Sequence, residues 1–171
     1  SIIAGNLLAL LQDNVKRLLA YSSIAHLGYV LVAFLAGGTR GGEAVAFYLV
    51  AYFVTILGAF GVITVLSGKE RDLDRLKEFE GMGRGRPFPA MIFTAMLLSL
   101  AGIPLTAGFV GKFLVLSAGV DATLWSLAVI LILGSLVSIF YYLRVIVAMY
   151  MRSSDDRRKE ANPISISLAG G

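Results

Sequence analysis

The stretch Ser99-Leu100-Ala101-Gly102-Ile103-Pro104-Leu105-Thr106-Ala107-Gly108-Phe109-Val110-Gly111-Lys112-Phe113-Leu114 decides the fold, because it sets a helix-breaking run and one lysine inside an apolar span. The surrounding residues 88–119 are almost wholly apolar and outnumber the ~20 that a helix needs to cross a ~30 Å hydrocarbon layer. Pro104 has no N–H to give, and Gly102, Gly108 and Gly111 each lower helix stability. The span therefore reads as two half-helices joined by an unwound turn near mid-depth, with Lys112 about one turn past the break. A lysine stem of roughly 6 Å cannot reach headgroups ~15 Å away, so the ammonium must face protein or internal water. Ionisable residues at such depth mark ion or proton pathways, and a lysine there can act as a titrating switch. The competing reading is a structural ion pair.

The whole chain agrees with a membrane setting. It is 57% hydrophobic and 15% charged, with a mean hydropathy of +0.81, which places it among polytopic helical membrane proteins. With no cysteine there is neither a disulfide nor a thiolate ligand for an iron–sulfur cluster, and a lone His26 cannot build a metal or haem site by itself. No metal site and no cofactor is expected on this chain. It opens without methionine inside an apolar run and stops at Ser165-Ile166-Ser167-Leu168-Ala169-Gly170-Gly171, which reads as an excerpt of a longer polypeptide.

Taken in order, 1–11 is the end of a helix, and Asp13 or Asn14 caps a span over 15–36. Gly37 to Gly42 reads as a turn before a span over 43–67. In 70–80, Leu73, Leu76 and Phe79 recur among charges, as in a short amphipathic helix on the membrane surface. The broken span 88–119 and a further span over 122–151 follow. The remaining 152–171 read as a charged cytoplasmic linker and the start of another span. Twelve basic residues (Lys16, Arg17, Lys69, Arg71, Arg75, Lys77, Arg84, Arg86, Arg152, Arg157, Arg158 and Lys159) fall on one side against Arg40 on the other. That bias makes the 67–89 linker and the tail cytoplasmic. Arg144, two or three turns from the same end, reads as a snorkelling residue. The basic residues are dispersed and mixed with acids, a pattern of topology rather than of nucleic-acid binding.

Polar residues recur at helical spacing inside the spans. Ser22, His26 and Tyr29 share a face, and His26, about ten residues or ~15 Å past Lys16, also lies near mid-depth. A histidine that both donates and accepts suits a proton relay; a neutral histidine bonded between helices is the alternative. Tyr48, Tyr52 and Thr55 make a second stripe, whose hydroxyls either hold a water chain or bond between helices. Lys16-Arg17 reads either as an inside anchor or as part of the path. Gly58, Ala59, Gly61, Gly134, Ser135 and Ser138 favour close helix packing, and no glycine run matches a phosphate-binding loop.

Two runs are specific enough to carry a resemblance. Residues Asp13-Asn14-Val15-Lys16-Arg17-Leu18-Leu19-Ala20-Tyr21-Ser22-Ser23-Ile24-Ala25-His26-Leu27-Gly28-Tyr29 and Ala101-Gly102-Ile103-Pro104-Leu105-Thr106-Ala107-Gly108-Phe109-Val110-Gly111-Lys112-Phe113 resemble the antiporter-like subunits of respiratory complex I. Within that family the pattern is most similar to the N type of NADH-quinone oxidoreductase, on Gly111-Lys112-Phe113 and on Tyr52, where sister types tend to carry histidine. The M type carries glutamate at the position of Lys112. The resemblance implies an all-α membrane fold of two inverted repeats, of which this chain matches the end of helix nine to the start of helix fourteen. It implies that Lys112 is the terminal proton station of a broken helix and His26 a relay position. Tyr52, Lys16 and Ser22 join them as candidate proton-translocation residues, with Gly102, Pro104, Gly108 and Gly111 as the helix break.

The function implied is proton translocation as part of NADH-quinone oxidoreductase, with NADH, FMN, iron–sulfur clusters and quinone on partner subunits. The partners implied are sister antiporter-like subunits, small membrane subunits and the lipid bilayer, in the inner membrane of a bacterium. A cation/proton antiporter or membrane-hydrogenase subunit, and a non-pumping architectural subunit, are the rival readings.

Overall fold

The computed structural model describes residues 1–67 and 73–151. Its elements are α1 (Ile2–Leu10), α2 (Val15–Ala36), α3 (Gly38–Leu66), a 3-10 turn at Leu76–Phe79, α4 (Met82–Gly85), α5 (Pro87–Ala101), α6 (Ala107–Asp121) and α7 (Trp125–Tyr150). Helices α2, α3 and α7 are each long and apolar enough to cross a membrane. The expected broken span corresponds to two shorter helices, α5 and α6, separated at residues 102–106. Outward faces keep Phe34, Leu57, Val65 and Phe140 exposed while Tyr29, Phe93, Leu97 and Tyr141 are buried. Helices apolar all round belong to a bilayer or a large core, and the chain is an all-α membrane bundle with a discontinuous helix.

Local chemistry sets the ends of these elements. The Asn14 side chain accepts the Arg17 N–H at 2.9 Å and so caps α2. Between α2 and α3, Gly37 and Gly38 both sit at positive φ, 66° and 64°, and turn the chain in two residues. Helix α3 therefore begins at Gly38 rather than at 43. Gly41, expected in the turn, is inside the helix, where a Cβ would stand 2.7 Å from the Ala33 carbonyl oxygen. Close approach of this kind recurs between α1 and α2. A Cβ on Gly5 would lie 2.6 Å from Ala25 N, and one on Gly28 would lie 2.9 Å from Ile2 N. In a bilayer, where burial of apolar surface does not drive helices together, such contacts supply the packing. Gly61, by contrast, faces open space.

The described part of the 70–80 segment does not form an amphipathic surface helix. Asp74 N–H and Arg75 N–H both donate to the Glu78 carboxylate, Val15 N–H donates to Asp74 O at 2.7 Å, and Leu76 N–H donates to Asp13 O at 2.9 Å. Lys16 pairs with Asp74 at 2.9 Å. The segment is thereby tied to the α1–α2 turn as an extended stretch and one 3-10 turn, and Phe79 enters the core beside Phe93. Residues 70–72 of that expected helix, and all of 152–171, lie outside the described residues.

Arg144 of α7 closes the same end, donating to the Gln12 carbonyl and reaching the Asp13 carboxylate at 3.4 Å. At the opposite end Arg40 pairs with Asp121. The basic residues Lys16, Arg17, Arg75, Lys77, Arg84 and Arg86 thus gather at one end of the bundle and Arg40 at the other; the remaining six of the twelve lie outside the described residues.

Candidate functional site

The site begins at the break between α5 and α6. Gly102, at φ 80° and ψ 41°, ends α5, and its N–H donates to the Leu98 and Ser99 carbonyls while Ile103 N–H returns to Leu98 O at 3.1 Å. Pro104 and Leu105 carry the chain across the gap, Leu105 at a φ of 77°. Thr106 restarts the helix: its hydroxyl accepts the Phe109 N–H at 3.3 Å and donates to Ile103 O at 2.7 Å. The half-helices overlap side by side at Gly108, where a Cβ would fall 1.8 Å from the Ser99 carbonyl oxygen. Gly108 N–H donates to the Ser99 hydroxyl at 3.2 Å. Gly111 likewise admits the Tyr48 ring, 2.9 Å from where a Cβ would stand.

Lys112 lies in the second turn of α6, 6% exposed, and its side chain folds back to the break. Its Nζ donates to the Ala101 carbonyl at 2.9 Å and to the Ser138 hydroxyl at 3.3 Å, and stands 5.4 Å from the centroid of the Tyr29 ring. The Ala101 carbonyl is one that the break deprives of a helical partner, and it sits at the negative end of the α5 dipole. The ammonium is therefore held by a helix terminus, a hydroxyl and a ring face. Among the described residues no carboxylate contacts it. Gly102 completes the fit, since a Cβ there would press within 2.9 Å of Lys112 Cδ.

His26 forms the second pole. It is buried on α2, with Nδ1 2.7 Å from the Tyr48 hydroxyl and Nε2 3.3 Å from the Tyr142 hydroxyl. In a neutral imidazole one nitrogen donates and the other accepts, so in either tautomer the Tyr48–His26–Tyr142 row passes one hydrogen-bond direction through the ring. Tyr52 stacks on His26 with centroids 4.9 Å apart. A cavity of about 10 Å³ lies among His26, Tyr48, Tyr52, Thr55, Ser99 and Gly108, about the space one water needs. It joins the histidine to the N-terminus of α6.

The remaining candidates divide. Ser22 is buried one turn before His26, and its hydroxyl donates to Leu19 O at 2.8 Å in its own helix. Lys16 stands apart at the start of α2, paired with Asp74 about 15 Å of helix from His26. Pro104 lies in the gap itself. Sequence reasoning passed over Asn6 and the pair Tyr141-Tyr142 as members of the site. Asn6 donates to Ile2 O at 2.9 Å and to the Tyr29 hydroxyl at 3.3 Å, and accepts from the Tyr141 hydroxyl at 3.0 Å. Its signal was present: it is the one amide in an otherwise apolar opening run. Ser138, read as packing, is a direct partner of Lys112.

The family described as NADH:quinone oxidoreductase/Mrp antiporter, transmembrane, matches residues 1–138. The chain belongs to that family. NADH-quinone oxidoreductase subunit N of Ectopseudomonas mendocina (strain ymp) is 55% identical over 163 residues, 94% of this chain and 33% of the relative. Among solved structures, respiratory complex I from Thermus thermophilus with bound aureothin contains a chain 36% identical, with a TM-score of 0.75, covering 90% of this chain and 35% of that one. The Mrp complex from Dietzia sp. DQ12-45-1b contains one 27% identical, with a TM-score of 0.79, covering 88% and 28%. The resemblance to the antiporter-like subunits, and to the N type among them, is borne out. The chain spans about a third of the length of the curated relatives it matches. The broken helix with its lysine is the part of the oxidoreductase/antiporter chain in which polar groups from α1, α2, α3, α5, α6 and α7 converge.

Proposed function

We propose that this chain is part of a proton-translocating membrane subunit of NADH-quinone oxidoreductase, in which Lys112 holds and releases the proton and His26 relays it. The observation that carries the reading is the buried ammonium seated on the carbonyl that the helix break frees, beside a histidine set between two tyrosines. A group held by dipoles responds to charge that appears or vanishes nearby. Unit charges ~6 Å apart at an effective dielectric of ~20 interact by ~3 kcal/mol, about a hundredfold in proton affinity. The membrane arm contributes the sister and small membrane subunits as partners, and NADH, FMN, iron–sulfur clusters and quinone act on other subunits. The setting is the inner membrane of a bacterium, as the bacterial origin of the relatives supports.

The test is proton pumping per quinone reduced, in vesicles reconstituted with the complex carrying the full-length subunit. Lys112→Ala is expected to assemble and to lose most of the pumping, and Lys112→Arg to be impaired too, because a guanidinium keeps its charge and does not readily give up a proton. Full pumping by the alanine variant would falsify the reading in favour of an architectural role. A second reading, a subunit of a cation/proton antiporter, is favoured by the likeness to the Mrp complex. Purification separates the two, since a chain of the oxidoreductase co-purifies with flavin and iron–sulfur subunits and a chain of an antiporter does not.

A further inference from the structure

Tyr29 sits between the two poles of the site and hydrogen-bonds to neither. Its ring face lies 5.4 Å from Lys112 Nζ, within the ~6 Å at which a ring quadrupole attracts a cation, and its edge meets His26 with centroids 5.6 Å apart at 79°. The ring is anchored from the far side. Its hydroxyl accepts from the Asn6 amide, whose other proton goes to Ile2 O and whose oxygen accepts from Tyr141, so groups of α1 and α7 fix one tyrosine of α2. Gly134 leaves the room for this. A Cβ there would lie 2.9 Å from Asn6 Nδ2 and 3.0 Å from the Tyr29 hydroxyl. Gly5 and Gly28 draw α1 against α2 and so bring Asn6 within reach.

We propose that Tyr29 is a positioning residue for Lys112: its ring, held by Asn6 and Tyr141, is the platform that stabilises the ammonium while the proton is resident. The inference deepens the reading of Lys112 as the proton-holding group and rests on it. It follows from the chemistry of the lysine's surroundings. The titratable groups facing the site are His26 and Tyr29 from α2, Tyr48 and Tyr52 from α3, and Tyr141 and Tyr142 from α7, while α5 presents the Ala101 carbonyl and the Ser99 hydroxyl. Among the described residues none of these brings a negative charge at neutral pH. Among the described residues the ring face of Tyr29 is then the neighbour that prefers the ammonium to the free amine without hydrogen-bonding to it. Cation–π attraction in a desolvated site is about 2 kcal/mol, roughly thirtyfold in the proton-bound population.

The test varies ring electronics at constant shape. In the complex carrying the full-length subunit, position 29 is filled with phenylalanine, with trifluorinated phenylalanine and with leucine, and proton pumping per quinone is measured beside Lys112→Ala. Phenylalanine keeps the platform and loses only its anchor, and is expected to retain most pumping. Trifluorination removes the quadrupole with little change of volume and is expected to lower pumping several-fold, as is leucine. Equal pumping by the phenylalanine and trifluorophenylalanine proteins overturns the proposal, since a merely structural ring is indifferent to fluorine. If Lys112→Ala itself pumps fully, the underlying reading fails first; if it does not pump and the fluorine series is flat, only the platform fails. Asn6→Leu gives a second measure and is expected to weaken pumping in the tyrosine protein more than in the phenylalanine protein, which has already lost the hydroxyl. Equal losses in both backgrounds would remove the anchor from the scheme.

Discussion

Replacing Gly108 by alanine tests whether the overlap of the two half-helices builds the site. The added Cβ would stand 1.8 Å from the Ser99 carbonyl oxygen and 2.7 Å from its carbon, both backbone atoms that no rotamer can move. Restoring ordinary contact requires the strands of the break to part by about 1.6 Å. That separation breaks the Gly108 N–H to Ser99 bond at 3.2 Å, and it carries Lys112, one turn further along α6, away from the Ala101 carbonyl now 2.9 Å from its Nζ. The lost bonds cost about 1 kcal/mol for the neutral one and about 2 for the charged one, and overpacking adds about 1–3. Alanine returns up to about 1 kcal/mol through its better helix propensity. The net expectation is a destabilisation of about 3–5 kcal/mol, with pumping reduced more than assembly. The assay is a heat ramp on the purified complex, following retention of the subunit, beside pumping in vesicles. Gly61→Ala, whose Cβ meets open space, is the control and is expected to be neutral or slightly stabilising. If the Gly108→Ala complex melted and pumped like the parent, the overlap would have no part in setting Lys112, and the geometric argument would be lost.

Two other outcomes are expected. Cysteines placed at Gly42, where a Cβ meets open space, and at Lys77 are expected to be labelled from opposite faces by a membrane-impermeant thiol reagent, Gly42 from outside; labelling of both from one face would reject the orientation. His26→Ala is expected to slow proton transfer and leave assembly intact, since alanine is a good helix former and the lost ring bridges Tyr48 to Tyr142; unchanged pumping would reduce His26 to a packing group.

The architecture was legible where single residues have few conformational options. Pro104 among three glycines cannot continue a helix, and a lysine within that run cannot escape to water, so the break and its buried cation could be read directly. The residues that complete the site were harder to see. Asn6, Tyr29, Tyr141 and Ser138 are separated in sequence by up to 135 positions and meet through helix packing that single-helix periodicity does not encode. The serine of Ser138 looks the same whether it fills space or binds an ammonium. The surface helix expected in 70–80 misled for a related reason. Three apolar residues at helical spacing were there, and the bonds that the Asp13 and Val15 backbones and the Glu78 carboxylate make to the backbone of residues 74–76 outcompeted the helix.

On the proton-holding reading, the distribution of acids bears on how Lys112 would be driven. Asp13 reaches Arg144, Asp74 pairs with Lys16 and Asp121 pairs with Arg40, all at the two ends of the bundle. Asp121, the acid on Lys112's own helix, is nine residues or roughly 13 Å of helix away, where a unit charge at an effective dielectric of ~20 acts with only about 1 kcal/mol. Its pairing with Arg40 cancels most of that. The described residues thus hold the ammonium by local dipoles and a ring face and offer little charge with which to expel its proton. A change of ~3 kcal/mol needs a unit charge within ~6 Å. On the proton-holding reading, that charge comes either with a proton arriving at His26 or from outside the described residues, through the faces of α6 and the break that Leu105, Val110 and Phe113 leave exposed. Introducing an acid there bears on the question without touching the site: Val110→Glu is expected to alter pumping strongly, whereas Val129→Glu, on the exposed face of α7, is expected to alter it little in any complex that assembles. Equal effects of the two in assembled complexes would mean that Lys112 is driven by something other than charge arriving at the break.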